Sequence, residues 1–122
     1  YKVTGVQTCA LPDLPEPAAR QREQGAALLL VPANWPPVDG MGPGDVWERR
    51  SRETGIPVVV NNRTGSEPEL DFTHGESAIA VAGRRQFSFS TPAGRMLLVD
   101  WNRAHGFNPL TGTITPVPKV AQ

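Results

Sequence analysis

Two apolar runs of strand length constrain this chain more than any other feature. Ala27 to Ala33 reads ALLLVPA, and Ile56 to Val60 reads IPVVV. Neither alternates with polar residues. A strand with one wet face shows a period of two, so a continuous run marks a strand buried on both faces, as in a covered parallel sheet. A short helical pattern precedes each run. Pro15 to Gln24 carries its prolines, Pro15 and Pro17, in the first turn, where a missing N–H costs little. Glu16 stands four residues before Arg20, the favourable order for a helix pair, and Gly25 fits a helix stop. The spacing predicts a second helix over Val46 to Thr54, with Asp45 as cap and Gly55 as stop. Glu48–Arg52 and Arg49–Glu53 fall at i, i+4 on it. Arg49, Arg50 and Arg52 then read as a solvated face.

The pattern changes after Val60. Pro36 to Gly44 is a loop by composition, and Asn61 to Thr73 is polar and rich in turn residues. Ser77 to Val81, Gln86 to Ser90 and Met96 to Trp101 read as strands, separated by a turn at Gly83 and another over Thr91 to Gly94. In the second of these, a period of two puts Phe87 and Phe89 on one face. Asn102 to Gln122 shows little periodicity and reads as an irregular tail. Helix, strand, helix, strand and then strands with short turns describes an α/β layer fold with a mixed sheet. Each helix is expected to cover one face. Two short helices cannot cover both faces of a five-strand sheet, so the chain calls for a missing portion or a partner.

Composition narrows the function classes. With 122 residues the chain has room for one domain. Twelve basic and twelve acidic residues cancel, which argues against a nucleic-acid surface built on bulk charge. The longest apolar run, Ala26 to Val31, has six residues, far short of the roughly 20 of a membrane span. One cysteine excludes an internal disulfide framework, and with two histidines it argues against a zinc cage. No metal and no cofactor are expected.

The N-terminal segment stands apart. Tyr1 to Pro12 lacks the apolar core of a signal peptide. Val3 to Pro12, VTGVQTCALP, resembles a frame translation of a short-read sequencing adapter. Residues 1–12 are therefore expected to be a non-native leader, 13–101 a partial domain and 102–122 the tail.

The remaining motifs resemble a known family. Pro15-Glu16 with Arg20, then Gly25-Ala26, then Leu28 to Trp35 (LLLVPANW) is similar to the stretch that follows the nucleophile elbow in the nitrilase superfamily of carbon–nitrogen hydrolases. Trp47 to Asn61 resembles the family's next helix and strand. Asn62-Arg63-Thr64-Gly65 resembles its NR-x-G turn, Phe72 to Ile79 its F-x-G-x-S-x-I segment, and Met96 to Asp100 its late strand. The resemblance covers about Leu14 to Asp100. It implies the C-terminal half of a four-layer α-β-β-α sandwich with a mixed sheet, which accounts for the missing cover. It also implies hydrolysis of amides or nitriles through a Cys acyl-enzyme, with a Glu base and a Lys that stabilises the tetrahedral intermediate. A small-molecule amide or nitrile substrate, a homo-oligomeric intact protein and a cytoplasmic location follow as expectations, with no nucleic acid and no membrane.

The family places Glu and Lys before the nucleophile, and nothing in this sequence matches them. Lys2 and Lys119 are the sole lysines. Counting back from Glu16, the nucleophile falls on Cys9. The family reads C-x-D there, whereas Leu11 stands in place of the Asp, and Cys9 also lies inside the adapter-like run. The chain as given is expected to be inactive. Asn34 and Trp35 end a buried strand, where open α/β sheets bind ligands, and in the family this segment borders the substrate pocket. The plain alternative is a strand end packed by an indole.

Other candidates read as structural. Trp47, Phe72 and Trp101 are expected in the core, and His74 beside Glu76 as a solvated or structural histidine. Gly75 to Ile79 lacks the last Gly of a serine-hydrolase elbow. Gly40 to Gly44 is not a dinucleotide fingerprint, because Pro43 interrupts it. Asn62-Arg63-Thr64 matches a glycosylation sequon by chance. A noncatalytic α/β binding module with its pocket near Asn34 and Trp35 is the rival to the hydrolase fragment.

Overall fold

The computed structural model describes residues 15–37 and 43–107, with the backbone of 114–116. Two helices and four main strands run α1 (Pro15–Glu23), β1 (Leu29–Ala33), α2 (Val46–Thr54), β2 (Val58–Asn62), β3 (Glu76–Val81) and β4 (Arg84–Ser90). Short strands follow: β5 (Arg95–Leu97), β6 (Trp101–Asn102), β7 (Gly106–Phe107) and β8 (Ile114–Pro116). The main strands form one mixed sheet in the order β1-β2-β3-β4. β1 and β2 are parallel, and β3 and β4 each add antiparallel. The expected α/β class with a mixed sheet is what the chain forms. Its parallel pair is the one with continuously apolar sequences, joined through α2 as a parallel crossover requires.

The sheet has four strands where the sequence suggested five. The run from Met96 to Trp101 leaves it: β5 pairs with β8, and β6 turns back on β7. The segment read as irregular thus contributes two short strands, β7 and β8. The first two strands also start two residues later than their apolar runs. The ladder opens at Leu29 opposite Val58, and the Leu29 N–H donates to the Pro57 carbonyl at 2.9 Å.

One face of the sheet packs on α2. Val31, Val58, Val60, Ala78 and Ala80 surround Trp47, which stacks on Trp35 at 5.6 Å between ring centroids. α1 lies against α2 and buries Ala18. The β3–β4 turn docks on the same helix. Ala82 and Gly83 both have positive φ, the geometry of a two-residue hairpin turn. The Gly83 N–H donates to the Ser51 hydroxyl oxygen at 2.9 Å, and that hydroxyl donates to the Glu48 carbonyl at 2.8 Å.

The expected helix pairs give way to other partners, two of them local and one across the fold. Arg49 binds Asp45 at 3.2 Å, which leaves the Asp45 carboxylate unused as a cap. Arg50 is buried, against the reading of a solvated face, and pairs with Glu53. Glu48 turns toward the sheet and meets Arg85 at 2.6 Å instead of Arg52.

A β-bulge makes that last contact possible. Ile79 pairs with Phe87, but Ala80 pairs with Arg85, so Gln86 is the extra residue. By strict alternation Arg85 would share a face with Phe87 and Phe89. The bulge turns it to the Ala80 face, the α2 side, as bulges re-aim side chains. There its Nε donates to Glu48 at 2.6 Å, one terminal nitrogen to Glu76 at 2.6 Å and the other to the Gly44 carbonyl at 3.2 Å. The guanidinium carbon sits 5.2 Å from the Trp47 ring centroid. Burial works against the charge, but the bond to Glu48 and the charges of Glu76 and Glu48 outweigh it and hold the guanidinium above its ordinary pKa. Arg85→Met leaves two carboxylates facing an apolar side chain. The expected loss is about 2 kcal/mol, less than a fully buried pair because water reaches these groups. Urea unfolding measures it, and Glu48→Met in the same chain should restore most of it.

Among the described residues, no helical residue lines the groove on the second face. Cross-strand pairing sets Leu30, Val59, Ile79 and Phe87 in one apolar row. Phe89 stacks beside Phe87 at 6.3 Å, as the period of two predicted. Val59, Ile79, Phe87 and Phe89, with Met96, Leu97 and Val99, line the groove, of about 470 Å³, and Leu30 lies outside it. Leu30 is 66% exposed, Leu98 61% and Met96 53%. The expectation of one helix per face is therefore corrected, because α1 packs beside α2 and leaves the second face to the β5 segment.

Candidate functional site

The parallel strands β1 and β2 end side by side, and such carboxyl edges are where open α/β sheets hold ligands. β1 ends at Ala33, whose carbonyl accepts the Arg63 N–H at 3.0 Å and extends the ladder by one bond. Asn34 follows with its side chain exposed, then Trp35, half-buried against Trp47.

Asn62, the last residue of β2, holds this strap from both sides. Its Oδ1 accepts the Trp35 N–H at 2.9 Å, and its Nδ2 donates to the Trp35 carbonyl at 2.9 Å. The same Oδ1 accepts the Arg63 N–H at 3.0 Å, and the Asn62 N–H donates to the Ser77 hydroxyl oxygen at 2.9 Å. One carboxamide thus satisfies three backbone groups on two segments. Asn62→Ala strands the Trp35 N–H and carbonyl in a half-buried corner. The expected cost is about 2 kcal/mol, the desolvation of groups left unpaired. Thermal unfolding reads the loss, and faster hydrogen exchange at the Trp35 amide locates it. The engaged amide also leaves the sequon asparagine unsuited to carry a glycan.

The turn after β2 is built on Phe72. This ring is fully buried, and the Arg63 guanidinium lies 5.0 Å from its centroid while also pairing with Glu67. The Phe72 N–H donates to the Gly65 carbonyl at 2.7 Å, and the Gly75 N–H to the Phe72 carbonyl at 2.8 Å. The Thr64 hydroxyl donates to the Thr91 carbonyl, which ties the corner to the β4–β5 turn. Gly75 has no room for a side chain: a Cβ there would stand 2.7 Å from the Arg63 carbonyl oxygen. Two motifs seen separately in the sequence, 62–65 and 72–77, therefore form one interlocked corner.

The chemistry of this corner is positional. His74 is exposed, and the nearby Glu76 is committed to Arg85. The Asp71 carboxylate accepts the Thr73 N–H at 2.8 Å. That bond first, then the Thr73 hydroxyl, holds its pKa below the ordinary value. Among the described residues, no group of three or more His, Cys, Asp and Glu side chains could hold a metal. Trp47 and Phe72 are core residues as expected, whereas Trp101 is half-buried and faces Phe107 at 6.3 Å. Of the predicted site residues, Asn34 and Trp35 sit together on the clamped strap, and Cys9 lies outside the described residues. The groove on the second face is lined by neither Asn34 nor Trp35. Sequence reasoning missed Asn62 as the clamp. The signal was its place at the head of NR-x-G, directly after a strand parallel to the one that Trp35 follows.

No protein-family model matches the chain, and no curated protein does. Solved structures do. An amidase of the nitrilase superfamily from Nesterenkonia AN1, in a cysteine-to-alanine variant, superposes with TM-score 0.55 at 30% identity over 66% of this chain and 30% of its own. An amidase from Nesterenkonia sp. gives TM-score 0.58 at 29% identity, covering 69% of this chain and 32% of that one. A NitN amidase from Nesterenkonia sp. AN1 gives 0.59 at 28% identity, over 75% and 37%. This chain thus spans about a third of the length of the amidases it resembles. One such structure holds butyramide, and another carries the acetamide moiety of fluoroacetamide on its active-site cysteine.

Proposed function

We propose that this chain is a C-terminal portion of a nitrilase-superfamily carbon–nitrogen hydrolase, of the amidase type. The observation that carries this reading is the structural match to the Nesterenkonia amidases at 28–30% identity over 64–75% of the chain. The order of the motifs from Pro15 to Asp100 and the second face, which the described residues cover only in part, support it independently. In the intact enzyme that face packs on a second sheet, which completes the α-β-β-α sandwich. A cysteine attacks the amide carbon after a Glu takes its proton, and a Lys stabilises the oxyanion that forms. The proton held by the Glu passes to the amine, which leaves as the C–N bond breaks. Water then hydrolyses the thioester to the carboxylic acid and the free thiol. The strap bearing Asn34 and Trp35 borders the substrate, held in place by Asn62. The Glu and Lys come from sequence that precedes this stretch, and Cys9 marks the register of the nucleophile while belonging to the adapter-like leader.

The test has two arms. The coding sequence upstream of Asp13 should contain a Glu, a Lys and a C-x-D nucleophile, and a sequence without them sinks the amidase reading. The chain as given should release no ammonia from butyramide; turnover that disappears in Cys9→Ala would overturn its assignment as an inactive portion.

A further inference from the structure

We draw no further inference here: the strongest candidate, the apolar groove between Phe87, Phe89 and Met96 on the second sheet face, belongs to the face already assigned to the second sheet of the intact enzyme, and nothing in the structure shows what else covers it.

Discussion

Trp47→Ala should leave this chain largely unfolded. The indole has 1% of its surface exposed, stacks on Trp35 and lies under the Arg85 guanidinium. Truncating a buried tryptophan costs about 3–5 kcal/mol. Domains of this size hold only about 5–15 kcal/mol in total, and this one leaves a sheet face half covered. The expected readout is loss of the cooperative guanidinium transition, or a midpoint near zero denaturant. Trp47→Phe provides the contrast. The Trp47 Nε1–H is buried without a hydrogen-bond partner, so phenylalanine removes an unsatisfied donor while keeping most of the ring. It should retain more than half of the stability lost in the alanine variant. Equal damage from both changes would show that ring volume is not what Trp47 contributes.

Gly75→Ala should be the most damaging single-methyl change in the corner. The added Cβ meets the Arg63 carbonyl oxygen at 2.7 Å and the Phe72 carbonyl oxygen at 3.0 Å, both backbone atoms. Side chains can swing aside, but these carbonyls are held: the Phe72 oxygen accepts the Gly75 N–H itself. Relief requires the turn to open, which on overpacking precedent costs about 3 kcal/mol. The damage should also be local. Hydrogen exchange should rise at the Trp35 and Arg63 amides, because the same Cβ stands 3.3 Å from the Asn62 Nδ2. Uniform loss of protection across β3 and β4, with the strap unchanged, would refute the idea that Gly75 supports the clamp.

The elements most readable in the sequence were those with local punctuation. α2 runs over Val46–Thr54 as predicted, closed by Gly55 in the left-handed conformation, although the Asp45 carboxylate does not cap its start. β3 and β4 start within two residues of their expected positions, since alternation and the Gly83 turn mark them. Strand starts were harder where burial and pairing part company. Ile56 is buried but precedes the ladder, and nothing in IPVVV reveals that the bonds begin at Val58. The ion pairs were misread for a similar reason. Helical spacing gives Glu48 a partner in Arg52, but Glu48 is turned into the fold, and a pair across 37 residues leaves no local trace. In the candidate site, Asn34, Trp35 and the NR-x-G turn were visible as motifs. Their assembly was not, because a carboxamide bridging backbone groups 27 residues apart depends on two parallel strands ending level.

The bulge at Gln86 has a consequence for how this hairpin can vary. Deleting Gln86 would leave a regular ladder, with Arg85 still opposite Ala80 and still on the α2 side. Keeping Gln86 but pairing it with Ala80 would instead carry Arg85 through the sheet to the groove side. Glu48 and Glu76 would then face the indole without a cation, and a guanidinium would stand in the apolar row beside Phe87. The extra residue and the bulge therefore come and go together: a chain that keeps the Arg85 contacts keeps both or loses both, whereas the 66–71 loop, exposed throughout, carries no such parity.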